Sequence, residues 1–101
     1  MTFTKSQWVG NKWPSVDIFP YETDDFLVVV SSLCTAFSLP TPNIVDILDG
    51  YAADLIIDKF PVQIMMDNWT FSVASESSDV RDAVMNILEG ISFTPKSDSA
   101  P

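Results

Sequence analysis

The chain of 101 residues has no histidine, one cysteine and three glycines, and it sets five Lys and Arg against fourteen Asp and Glu, a net charge of −9. Each shortage closes an option. Without histidine, neither a Ser-His-Asp nor a Cys-His catalytic triad can be built, and a His or Cys zinc site is closed as well. The glycines, Gly10, Gly50 and Gly90, are isolated and far apart, so no glycine-rich phosphate loop exists. Nucleic-acid binding draws most of its affinity from Lys and Arg on phosphates, and five dispersed cations in an acidic chain exclude it; the same repulsion applies to anionic membrane surfaces. One cysteine cannot form an intramolecular disulfide. Cys34 lies on an apolar helical stripe, where burial would raise its pKa and keep the thiol inert. No run approaches the roughly 18 apolar residues of a membrane span, and Met1–Gly10 lacks the apolar region of a secretory signal. The expected location is the cytoplasm.

What is present is a foldable core. Hydrophobic residues make up 47% of the chain, too many for a disordered acidic tail, and a single domain of this size buries roughly 60–65% of its unfolded surface. The first 22 residues read as an aromatic ribbon or arm. Gly10-Asn11 suits a two-residue hairpin turn with positive φ at Gly10, and its register sets Trp8 opposite Trp13. Thr23, followed by Asp24 and Asp25, starts a helix whose apolar positions are Phe26, Leu27, Val30, Leu33, Cys34 and Phe37, ended by Pro40. Thr41-Pro42 opens a second short helix, with Gly50 as its left-handed C-cap.

From Ala53 to Ala74 the period changes to two. Leu55–Ile57 form one strand. A two-residue turn at Asp67-Asn68 would pair Met66 with Trp69 and Ile64 with Phe71, collecting Val62, Ile64, Met66, Trp69, Phe71 and Val73 on a buried face. Pro61 is restricted to a turn or an edge. Ser77 or Ser78 caps a final helix carrying Val80, Val84, Ile87, Leu88 and Ile91, with Gly90 at its end. Ile91-Ser92-Phe93 would add a short strand or arm, and 94–101 would be a disordered tail. The expected fold is α+β: a single small domain over 1–93, with an antiparallel β-meander packed against two or three helices.

Chemistry is then left to carboxylates. Asp46 and Asp49 could share a helix face, and Asp54 and Asp58 could point to one side of a strand, but no calcium-loop spacing or central Gly accompanies them. Solvated acids are expected, with no metal, no cofactor and no enzymatic activity. More telling is the distribution: between Lys12 and Lys59 there is no cation, yet Asp17, Glu22, Asp24, Asp25, Asp46, Asp49, Asp54 and Asp58 all fall there. Selection for solubility alone usually intersperses both signs.

The leading expectation is therefore a small acidic protein-binding module. It would be an inhibitor of the bacterial immunity or antitoxin kind, neutralising a basic partner such as a nuclease toxin by covering its substrate groove. Its partner-binding residues would be Asp24, Asp25, Asp46, Asp49, Asp54 and Asp58, for encounter, with Trp8 and Trp13 setting dissociation. Over 23–93 the chain also resembles the small acidic chaperones of secreted effectors in its charge and in a helix, a three-stranded antiparallel sheet and another helix. That resemblance implies a dimer holding an extended client, although the second hairpin and long final helix of those chaperones are not visible here. Monomer and homodimer both remain open.

Overall fold

The computed structural model describes residues 1–91. In chain order the elements are β1 (Thr2–Gln7), β2 (Pro14–Phe19), α1 (Thr23–Ala36), β3 (Ile44–Ile47), β4 (Gly50–Ile57), β5 (Phe60–Met66), β6 (Phe71–Ser75) and α2 (Ser78–Glu89). The strands form one antiparallel sheet in the order β1-β2-β6-β5-β4-β3. The α+β architecture expected from the sequence is present. The pairing of β2 with β6, through Val16 opposite Val73, joins the N-terminal hairpin to the later meander.

Both helices lie on the same sheet face. Phe26, Val29, Val30 and Leu33 of α1, with Val80, Val84 and Leu88 of α2, share one core with Val16, Ile18, Leu55, Val62, Ile64, Phe71 and Val73. These positions are the apolar stripe of each helix and one parity of each strand, which is why the two periodicities meet in a single layer. In α1 the β-branched Val28-Val29-Val30 run does not prevent the helix, because Val29 and Val30 are both buried; burial outweighs their modest propensity cost. The helix starts one residue earlier than expected from Thr23. Glu22 is the N-cap, and it forms a reciprocal capping box with Asp25. In α2, Ser77 is the N-cap, its hydroxyl accepting from the Val80 N–H at 3.3 Å.

The short helix expected over 41–50 is instead the β3–β4 hairpin. Ile44, Val45 and Ile47 favour a strand, and they pair with Ala53, Ala52 and Gly50 around a turn at Leu48-Asp49. Gly50 is therefore no C-cap, and its φ is not positive. The N-terminal hairpin is as expected in its aromatic pair, with Trp8 and Trp13 stacked at a 6.4 Å centroid distance and 7° between planes. Its loop differs: Trp8 N–H donates to the Trp13 carbonyl at 3.0 Å across four residues, and Lys12 rather than Gly10 takes positive φ, at 61°. Gly90 closes α2 with φ −89°, without a left-handed turn.

The β5–β6 hairpin is also longer than expected. Met66 pairs with Phe71 and Ile64 with Val73, so the register is displaced by two residues and each strand residue keeps its face. Trp69 falls in the four-residue loop and is 74% exposed, not in the core where the alternating pattern predicts it. Pro61 lies within β5 opposite Ile56, one residue beyond the point where β6 ends at Ser75 opposite Val62. Its position is thus a local edge, and Ser75 Oγ donates to its carbonyl at 3.1 Å. Asp58 does not continue the strand of Asp54 but forms a turn with Lys59, at φ 53° and 73°. The arm expected at Ile91–Phe93 beyond Ile91, and the tail at 94–101, lie outside the described residues.

Candidate protein-binding surface

Three segments converge where α1 begins. β2 delivers Tyr21 and Glu22, the β3–β4 hairpin delivers Asp46, Asp49 and Tyr51, and the loop after β5 delivers Asp67. Together they line an open cleft of about 480 Å³. The tyrosines are its fixed walls. Tyr21 stands edge-on to Phe71 at 5.5 Å and 65°, and its hydroxyl donates to the Asp67 carbonyl at 2.8 Å. Tyr51 packs on Phe26 at 5.6 Å. Burial, followed by the negative charge of Asp67, raises the Tyr21 hydroxyl above its ordinary pKa.

Asp67 organises the loop beside it. Its Oδ1 accepts from the N–H groups of Trp69 at 2.8 Å and Thr70 at 2.7 Å and from the Thr70 hydroxyl at 3.3 Å, while its own N–H donates to the Thr70 carbonyl. This is the side-chain turn that Asp favours. The two backbone donors, Trp69 foremost, hold the Asp67 carboxyl below its usual pKa. A carboxylate with a lowered folded pKa stabilises above its unfolded pKa and ceases to do so as pH falls through the folded one. Asp67→Ala is therefore expected to cost about 1–2 kcal/mol at pH 7. In urea titrations across pH, the gap from the parent should shrink once pH drops below roughly 4; a gap that stays constant to pH 2 would contradict this role.

Among the described residues, no Lys or Arg lines the cleft. The cations among the described residues lie elsewhere. Lys12 is in the β1–β2 loop and Lys59 in the β4–β5 turn, at the opposite strand ends from the cleft. Lys5 and Arg81 are both engaged by Asp82, at 3.2 and 2.7 Å, and Arg81 also donates to the carbonyls of Ser6 and Ser15. Their contacts, led by Arg81, lower the Asp82 pKa. Among the described residues, no group of three or more His, Cys, Asp or Glu is arranged to hold a metal ion, and no helix is long and apolar enough to cross a membrane.

The residues singled out from sequence fall into separate places. Asp46 and Asp49 line the cleft, and exposed Asp24 is beside it in the first turn of α1. Asp25 is buried, and its Oδ2 accepts from the Glu22 N–H at 2.8 Å, so it serves the helix cap rather than a contact surface. Asp54 is on the face opposite the helices, where Gln63 Nε2 donates to it at 3.3 Å, and Asp58 is at the far turn. Trp8 and Trp13 are half-buried on that same outer face. Trp8 Nε1 donates to Ser72 Oγ at 3.0 Å, and Ser15, Ser72 and Ala74 on this face are all buried. Among the described residues the Ser15 hydroxyl has no hydrogen-bond partner. The tryptophans thus cover part of the outer face and belong neither to the helical core nor to the acidic cleft. Cys34 is buried, its thiol donating to the Pro40 carbonyl at 3.6 Å and its pKa raised by burial.

Sequence reasoning missed Asp67, Tyr21 and Tyr51 as neighbours of Asp46 and Asp49. The signal for Asp67 was local: Asp followed by polar Asn68 and Thr70 between two alternating runs is an Asx-turn pattern. Comparison with protein-family models, with curated proteins and with solved structures yields no match.

Proposed function

We propose that this chain is a small acidic protein-binding module that neutralises a basic partner by electrostatic occlusion, in the manner of bacterial immunity or antitoxin proteins set against a nuclease. The observation that supports this is the spatial separation of charge. Glu22, Asp46, Asp49 and Asp67 converge in one cleft with Asp24 at its rim, and the described cations lie elsewhere or are tied to Asp82. Like charges left unneutralised oppose folding, so a concentrated set is better explained by what it attracts than by solubility. The tyrosine walls add rigid, amphipathic contact area of the kind enriched at binding hot spots.

Association kinetics against a panel of basic nucleases test this reading. The triple variant Asp24→Asn/Asp46→Asn/Asp49→Asn should associate about 10-fold more slowly at low salt than the parent, with little change in dissociation. The parent's own rate should fall steeply as salt rises from about 50 to 500 mM, because exposed charges are screened. An association rate indifferent to both salt and the substitutions would overturn it. The part of the outer sheet face that the tryptophans leave open, where Ile56 is exposed, favours a second reading, a dimeric chaperone of a secreted effector. A strictly monomeric mass in solution would count against that alternative.

A further inference from the structure

We infer that β3, the free sheet edge beside the acidic cleft, receives an extended basic segment of the partner by strand addition, an inference that rests on reading the chain as an acidic protein-binding module. Among the described residues the sheet ends in two unpaired edges, β1 and β3. β1 presents Thr2, Thr4, Ser6 and Gln7, with Lys5 held by Asp82; polar side chains and a lysine are the usual protection of an edge. β3 is the more apolar edge, with Asp46 as its one charged side chain. It is Ile-Val-Asp-Ile, and Ile44, Val45 and the following Leu48 are 36%, 55% and 97% exposed.

The backbone of β3 is poised in the same way. Among the described residues its one strand partner is β4, with Ile47 opposite Gly50 across a two-residue turn. In an antiparallel ladder, the residues flanking such a turn exchange hydrogen bonds and the pairs then alternate. Ile47 and Val45 therefore bond to β4, while the N–H and C=O groups of Ile44 and Asp46 face outward. Pro40 and Pro42, which lack N–H groups, precede this stretch, so an added strand gains regular pairing only along β3 itself.

Charge selects the occupant. Asp46 is the strand's one ionic side chain, and Asp49, Glu22 and Asp67 stand around its end. A second copy of β3 would carry the same acids and no cation, adding like charge beside Asp46 and Asp49. A segment alternating basic and apolar residues satisfies both neighbours, its apolar side chains beside Val45 on the outer face and its basic ones beside Asp46 on the cleft side.

A capped six-residue peptide alternating Lys and Val is the probe, with amide hydrogen exchange and binding measured on the full chain. Binding should protect the amides of Ile44 and Asp46. Ile44→Pro removes an outward donor while keeping every charge, and it should weaken binding at least 10-fold with the circular dichroism spectrum unchanged. Asp46→Asn keeps the edge and should weaken binding mainly at low salt. Equal, salt-dependent binding to the parent and Ile44→Pro would overturn strand addition and leave electrostatic occlusion standing. Protection at β1 instead of β3, or no binding of the peptide at low salt, would overturn it as well. If Ile44→Pro perturbs the spectrum, the exchange pattern of the parent decides alone.

Discussion

Gly50→Ala is expected to cost about 3 kcal/mol, at the upper end of what overpacking inflicts. A Cβ at Gly50 would lie 1.9 Å from the Met66 carbonyl oxygen, 2.8 Å from its carbon and 2.9 Å from the Asp67 Cα. All three obstacles are backbone, so no rotamer change relieves them. Either the start of the β4–β5 ladder, where Tyr51 faces Met66, must open, or the β3–β4 turn must move aside. For a domain of this size the fall in Tm should be roughly 10–20 °C. Because Gly50, Tyr51 and Asp67 line the cleft, a variant that still folds should also lose the convergence of Asp46, Asp49 and Asp67. Gly10→Ala is the control: a Cβ there meets nothing within 4 Å, and its effect should stay within about 0.5 kcal/mol. A Gly50→Ala protein melting within two or three degrees of the parent would refute the close approach.

Gly50 also shows why this part of the fold was hard to read. Thr41-Pro42 at one end and Gly50 at the other have the form of helix start and stop signals. The seven residues between them, 43–49, are too few to display a period. The strand is decided by pairing: Ile44–Ile47 find a partner in β4, and the glycine is needed for backbone approach rather than for a cap. Long, periodic segments were legible instead. α1 and α2 are legible from apolar spacing, except that in α1 Leu27 is exposed and Val29 is buried in its place; Val62, Ile64, Met66, Phe71 and Val73 are on the expected face although the register differs by two. A shift of two preserves side-chain parity, so burial carries no information about it. What set the register was the Asp67 loop, whose carboxylate takes three hydrogen bonds from Trp69 and Thr70. The alternation in sequence continues one step past the strand to Trp69, which the loop leaves exposed and unpaired in the ladder.

The acidic set was legible in composition but not in membership. A cation-free interval in sequence is not a patch in space. Asp25 is consumed by the helix cap, Asp54 lies on the outer face, and Asp58 is carried to the far turn by the length of β4. Asp67, from outside the interval, joins Asp46 and Asp49 because β5 runs back to the end where α1 starts. Charge counting gives the sign of a partner, and topology determines which carboxylates it meets.

Beneath the cleft the same topology creates the position with the largest expected effect. Phe71→Ala should cost about 4 kcal/mol, the range for truncating a fully buried aromatic side chain. Phe71 is 1% exposed, opposite Met66 at the start of β6. It packs on Phe26 at 6.3 Å and supports Tyr21 edge-on at 5.5 Å, and each such pair contributes about 0.5–1.5 kcal/mol beyond area burial. Since domains of this size are stable by only about 5–15 kcal/mol, the variant should be marginal at room temperature. Its urea midpoint should fall sharply while the slope stays near that of the parent. Phe71→Leu keeps most of the volume and should lose roughly 1.5 kcal/mol, which separates the cavity from the loss of the ring. The effect should also reach the cleft, because Tyr21 loses the ring that orients its hydroxyl toward the Asp67 carbonyl. A loss below about 1 kcal/mol for Phe71→Ala would mean that the cluster collapses to fill the cavity, and that the cleft wall is held by the Asp67 loop rather than by the core beneath it.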